Sequence, residues 1–204
     1  MKTFKFYIVM IFIIVLARIS NGQDANAQGL KFGVGIGIAG FSYSNSNISY
    51  NAAFDVGAKL KLNIPRSSFT PVAYLNYSFL TGKFSGIPLN TTVPFNSDIT
   101  QKILTLGAGA EFKFVPDANL DPYIAVGIDY NHIGEFSFSQ SALNLNIPGA
   151  ISRTGFDGGA GLMIIIPYVF TIDASLKYAA LNVMGKDTNE NNINSWTLMV
   201  SVLF

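Results

Sequence analysis

The chain has 204 residues, of which half are hydrophobic, only 12% are charged and none is cysteine; the formal net charge is +1. Those values exclude a disulfide framework and a cysteine-linked lipid anchor. They also give no basis for a nucleic-acid or polyanion partner.

The chain opens with a targeting pattern. Lys2 and Lys5 precede an uninterrupted apolar run from Phe6 to Ala17, and Ala25-Asn26-Ala27 forms a small-x-small processing site. Residues 1–27 therefore read as a cleaved secretory signal, with cleavage after Gly22 as the alternative, and 28–204 as one domain. Twelve apolar residues fall short of the ~20 that a membrane helix requires. Beyond Ala17 no apolar run is long enough to span as a helix.

The rest of the chain shows period-two alternation, the mark of strands with one apolar face. The first strand, Leu30 to Tyr43, sets Phe32, Val34, Ile36 and Ile38 against Gly33, Gly35, Gly37 and Ala39. The second, Ala53 to Ile64, sets Phe54, Val56, Leu60 and Leu62 against Asp55, Gly57, Lys59 and Lys61. The third, Thr70 to Phe84, opposes Ala73, Leu75, Tyr77 and Phe79 to Tyr74, Asn76 and Ser78. In the fourth, Gln101 to Phe114, Leu104, Leu106, Ala108, Ala110 and Phe112 face away from Glu111 and Lys113.

The fifth strand, Pro122 to Phe136, separates Ile124, Val126, Ile128 and Tyr130 from Gly127, Asp129 and Asn131. The sixth, Arg153 to Ile166, separates Phe156, Ala160, Leu162 and Ile164 from Arg153, Asp157, Gly159 and Gly161. The seventh, Phe170 to Met184, places Ile172, Ala174, Leu176 and Tyr178 opposite Asp173, Ser175 and Lys177. The eighth runs from Trp196 to Phe204. Each is as long as the ~9–11 residues a tilted strand needs to cross a bilayer.

Connections alternate in length. Residues 65–68, 115–121 and 167–169 are short, whereas 44–52, 85–100, 137–152 and 185–195 are long and rich in Asn, Ser, Thr and Gly. Short periplasmic turns and long extracellular loops are the pattern of an outer-membrane barrel, and an even strand count puts both termini on the periplasmic side. An apolar final strand left open would be an aggregating edge, and closure against the first strand removes it. The expected fold is all-β, an eight-stranded antiparallel up-and-down transmembrane β-barrel in the cell outer membrane, with its lipids as the surrounding partner. A soluble β-sandwich is the competing reading.

By parity the lumen receives Asp55, Lys59, Lys61, Glu111, Lys113, Asp129, Arg153, Asp157, Asp173 and Lys177. A narrow eight-stranded barrel has room for side chains rather than a water column. Those ions must therefore pair. Asp157 and Lys177, on neighbouring strands, are expected to share a network with Asp129 and Arg153. Aromatic girdles are expected at both rims: Phe32, Phe112, Phe114, Tyr123 and Phe170 at one, and Tyr43, Phe79, Phe84, Tyr130, Phe136, Tyr178 and Trp196 at the other.

Sharper motifs carry little. Gly35-Ile-Gly37-Ile-Ala-Gly40, with Asp55 beyond it, has the spacing of a dinucleotide-binding turn. That turn must open a helix, and here the glycines alternate along a strand. His132 is the one histidine; Ser139 and Ser141 are near it in sequence, but nothing fixes a catalytic geometry. No catalytic, cofactor-binding or metal residue is assigned, no cofactor is called for, and Asp98, Asp187 and Glu190 read as solvated loop charges.

The Ala25-Asn-Ala-Gln28 region, the opening Leu30-Lys-Phe-Gly-Val-Gly-Ile-Gly, the Gly107-Ala-Gly-Ala-Glu-Phe-Lys-Phe114 strand and the terminal Trp196–Phe204 strand together resemble the small outer-membrane barrels of Bacteroidota, PorT-like and OmpA/OmpX-like. That resemblance implies a structural or accessory subunit of an envelope complex, type IX secretion machinery among them. It also implies that Trp196 and Phe204 serve as the assembly signal read by the barrel-insertion machinery. No appended wall-binding domain is seen, which puts cell-wall anchoring in doubt. Alternatives are a recognition barrel that binds through loops 85–100 and 137–152, using Phe95, Phe136, Phe138 and Leu143, and a small pore.

Overall fold

The computed structural model describes residues 29–44, 48–86, 95–116, 118–139, 149–167, 169–188 and 190–204. The proposed signal segment, 1–27, lies outside them. The described chain forms ten strands: β1 (Gly29–Tyr43), β2 (Ile48–Tyr50), β3 (Ala53–Asn63), β4 (Phe69–Gly86), β5 (Phe95–Lys113), β6 (Leu120–Ile133), β7 (Ser137–Phe138), β8 (Ile151–Ile166), β9 (Phe170–Met184) and β10 (Ile193–Leu203).

Eight of these are long, and every neighbouring pair is antiparallel. The order β4–β3–β1–β10–β9–β8–β6–β5 returns to β4 through the β4–β5 pairing, so the sheet closes on itself. Closure falls where the sequence places it. Gly33 to Tyr43 of β1 pairs with Leu203 to Ile193 of β10. Beyond that ladder, Phe204 and Phe32 exchange backbone hydrogen bonds, Phe204 N–H to Phe32 O at 2.8 Å and the reverse at 3.2 Å. No backbone edge is left where the two ends meet.

The pleat sends alternate side chains to opposite faces, and the two faces differ in chemistry. Ile36, Leu106, Val126 and Leu176 are more than half exposed on the outside, whereas Asp55, Asn131 and Asp173 are at most 1% exposed inside. In water such a molecule would be inverted. In a bilayer the outer apolar face is solvated by acyl chains, and the hydrogen-bonded ladder leaves no polar backbone exposed to them.

Strand ends differ from the sequence reading at the long-loop end. Within the segment expected as loop 85–100, the described residues 85–86 and 95–100 are strand, because β4 and β5 stay paired out to Gly86 and Phe95. Two short strands flank this hairpin: β2 pairs with β4 at Ile48–Phe84, and β7 pairs with β5 at Ile99–Phe138. The long-loop side thus carries a four-stranded extension above the barrel, built from stretches whose polar composition reads as loop. β6 stops at Ile133, three residues before Phe136, and β10 starts at Ile193, three before Trp196.

Candidate functional site

The lumen holds the largest concentration of chemistry-bearing side chains, stacked in layers from the short-turn end to the long-loop end. Nearest the short turns, β3 contributes Lys59 and Lys61, β5 contributes Glu111 and β9 contributes Asp173. Lys61 Nζ lies 2.6 Å from Glu111 Oε2 and 2.8 Å from Asp173 Oδ2; Lys59 Nζ lies 2.7 Å from Asp173 and 3.9 Å from Glu111. The Tyr123 hydroxyl donates to Asp173 Oδ1 at 2.6 Å, and Lys61 Nζ stands 4.7 Å from the centre of the Tyr123 ring. All four ions are within 6% of complete burial. Two cations and two anions balance, which is the condition for keeping charge out of water.

Lys113 Nζ donates to Asn63 Oδ1 at 2.8 Å at the same end. Lys31 and Asp121, whose inward positions the sequence reading omits, line a cavity of about 10 Å³ beside Lys61 and Lys113.

The next layer is built on Tyr74. Its hydroxyl sits against the carboxylates of both Asp129 and Asp157. Lys177 Nζ pairs with Asp157 Oδ1 at 3.0 Å and lies 3.5 Å above the Tyr74 ring. Asp55 also lines this layer, around a cavity of about 30 Å³, but it meets neither Lys59 nor Lys61. That volume is enough for a couple of waters, not a continuous water path. Both tyrosines depend on glycine sockets. A Cβ at Gly107 would overlap the Tyr74 ring, and one at Gly161 would overlap Tyr123.

Above the ions the lumen turns apolar. Ala39, Leu80, Ile103, Ile133, Leu181 and Ile193 form one buried cluster, with Phe41, Tyr43, Tyr50 and Ile151 packed against it. Tyr43 and Tyr50 stack at 5.1 Å between ring centres and both donate to Gln101 Oε1, at 2.8 and 3.1 Å. An apolar constriction of this kind resists wetting and so narrows the water path through a lumen.

Arg153 belongs to none of these layers, and this corrects the sequence reading. Rather than joining Asp129, Asp157 and Lys177, it turns to the connection between β9 and β10. Its Nε donates to Glu190 at 2.7 Å and its Nη2 reaches Asp187 at 2.9 Å. Asp187 and Glu190 are therefore partners of Arg153 rather than free loop charges. Asn182 holds Glu190 from the other side at 2.8 Å. Partial burial alone would raise the Glu190 carboxyl, but the bonds from Arg153 and Asn182 outweigh it and hold it below the usual glutamate value.

Two girdle assignments also change. Tyr123 points inward, as its position beside outward Ile124 requires, and Tyr43 turns into the apolar layer. Phe136 and Phe138 are engaged within the extension, against Tyr43 at 6.2 Å and Phe84 at 5.9 Å. Leu143 and Ser141 lie outside the described residues, as does the Phe95 side chain. Exposed His132 meets Ser152 Oγ at 3.0 Å through Nδ1, while Ser139 approaches Ser97. Among the described residues, no three His, Cys, Asp or Glu side chains are grouped to hold a metal.

Comparison with known proteins agrees with this architecture. The family model described as outer membrane protein beta-barrel domain matches residues 11–204. The chain belongs to that family. This outer-membrane barrel is also similar in fold to three solved structures. Neisserial surface protein A matches with a TM-score of 0.58 at 16% identity, over 86% of this chain and 96% of that one. OprG from Pseudomonas aeruginosa matches at 0.56 and 11%, over 89% and 99%. Ail, the attachment invasion locus protein of Yersinia pestis, solved with the heparin analogue sucrose octasulfate, matches at 0.53 and 15%, over 87% and 100%. No curated protein matches the chain.

Proposed function

We propose that this outer-membrane barrel is a non-enzymatic, sealed structural element that acts as an accessory subunit of a larger envelope complex. Type IX secretion machinery is one such setting. The observation that carries the reading is the filled lumen: a charge-balanced layer of two lysines and two acids, an acid-rich layer around Tyr74 and Lys177, and an apolar layer above them leave no water path for a solute. In this reading the short turns and both chain termini face the periplasm. The four-stranded extension faces outward, Trp196 and Phe204 present the final strand to the insertion machinery, and no nucleic acid is bound.

Gentle detergent extraction followed by mass spectrometry of the intact assembly tests the subunit role. A co-purifying partner of fixed stoichiometry is expected, and a lone barrel overturns it. Reconstitution in planar bilayers tests the seal separately, because discrete conductance steps from the purified barrel would contradict a closed lumen.

A second reading, surface recognition, is favoured by the β4–β5 extension, whose ladder runs well past the closed part of the barrel. Deleting 86–95 while retaining barrel stability, then measuring adhesion of cells displaying the protein, separates it from the first.

A further inference from the structure

A recess of about 320 Å³ opens on the outer wall at the long-loop rim, at the lower end of the ~300–1,000 Å³ usual for small-molecule sites. Its floor is a row of three residues paired across three strands, Gly40 of β1, Trp196 of β10 and Tyr178 of β9. A Cβ at residue 40 would run into the indole, so only glycine lets Trp196 lie down against β1. Trp196 and Tyr178 nevertheless remain 44% and 58% exposed.

The rows on either side differ in chemistry. One step toward the short turns, Ile38, Leu198 and Leu176 are exposed and apolar. One step toward the loops stand Ser42 and Asn194, paired with each other. Tyr50 and Asn51 roof the recess. They are fixed by Tyr50 Oη to Gln101 at 3.1 Å and Asn51 N–H to Thr81 O at 2.9 Å. No Lys, Arg, Asp or Glu is among its lining residues. The recess is thus preformed, uncharged and set where an apolar wall gives way to amides and hydroxyls.

We propose that this recess, Trp196 lying on Gly40 beside Tyr178 beneath Ser42, Asn51 and Asn194, binds an uncharged sugar ring. Without Lys or Arg in the lining, the recess offers no ionic partner to a phosphate or carboxylate. Asparagine offers both donor and acceptor, as a sugar hydroxyl requires, while the aromatic faces take the ring's C–H side. An aromatic girdle residue needs no roofed recess beside it. The exposed apolar row below is placed to accept acyl chains, so the favoured source is the headgroup of a neutral glycolipid.

Trp196 is the one tryptophan in the chain, so its emission reports directly on the site. The purified barrel in sugar-free zwitterionic micelles is titrated with digalactosyl diacylglycerol, with phosphatidylcholine of the same chains, and with free digalactose. A saturable change with the glycolipid is expected, at least tenfold weaker in the Ser42→Ala/Asn194→Ala variant. Response to free digalactose as well assigns the site to soluble and lipid-linked sugars alike. An equal response to phosphatidylcholine, no response to either sugar, or unchanged affinity in the variant overturns the proposal. Should that variant fail to fold, saturation-transfer NMR on the wild-type barrel decides: transfer from aromatic protons to the sugar ring supports the site, and none overturns it.

Discussion

Replacing Lys61 with methionine keeps an unbranched side chain one atom shorter and removes one positive charge from the ionic layer at the short-turn end. In the wild type Lys61 stands 2.6 Å from Glu111 and 2.8 Å from Asp173. Lys59 can still serve Asp173 at 2.7 Å but is 3.9 Å from Glu111. The variant therefore leaves one carboxylate 2% exposed with a distant cation. Breaking a buried pair from one side costs ~3–5 kcal/mol. At ~2–4 °C per kcal/mol for a chain of this size, the melting temperature should fall by roughly 6–20 °C. Adding Glu111→Gln restores neutrality, since Lys59 then pairs with Asp173 alone, and should recover most of the loss. The assay is thermal unfolding of the three proteins in the same micelles, followed by circular dichroism. An unchanged melting temperature for the single variant, or a double variant as unstable as the single, would refute a charge-balanced layer.

Tyr74→Phe removes the hydroxyl between Asp129 and Asp157; a loss of about 1–3 kcal/mol is expected, read by equilibrium urea unfolding. Ile103→Ala should cost ~2–5 kcal/mol as an ordinary core truncation does, even though Ile103 lies inside a barrel lumen; a neutral result would mean the apolar layer is loosely packed. At the rim, Asp187→Ala should change stability by less than ~1 kcal/mol, because that carboxylate is largely solvated. Glu190 has a folded pKa below its ordinary value, so its contribution is fully present above about pH 4.3 and is lost as pH falls through the lower folded value. Amide protection relative to intrinsic exchange in residues 185–188 and 190–192 should therefore hold at pH 5, fall only in stronger acid, and lose this step in Glu190→Gln.

The strands and their faces were legible because alternation is local: each residue's side follows from its neighbours. Phe170–Met184 agrees at both ends for this reason. The ion pairs within the lumen were less legible. Lys59 and Asp173 are 114 residues apart, and their contact depends on how far each strand is staggered around the barrel. The apolar layer escaped notice because members such as Ile133 and Leu181 lie near a strand end, where the inward face changes character. Parity would have found Lys31 and Asp121, which share the face of Gly33 and Tyr123. Arg153 was misplaced because its partners come from a connection rather than from a strand, and period-two reading is silent there. Residues 95–100 look like loop by composition; the unbroken ladder to β4 overrides their weak propensity.

The origin of the four ions in the short-turn layer bears on how the molecule enters its membrane. Lys59 and Lys61 come from β3, Glu111 from β5 and Asp173 from β9, and no two of these strands are neighbours. A hairpin entering lipid by itself would carry its lysines or its acid uncompensated, at a cost that hydrocarbon makes severe. Neutralisation arrives only when the curling sheet brings three separated strands face to face. Insertion and closure should then be one concerted event, with half-built barrels held at the membrane surface until the last strand is in hand.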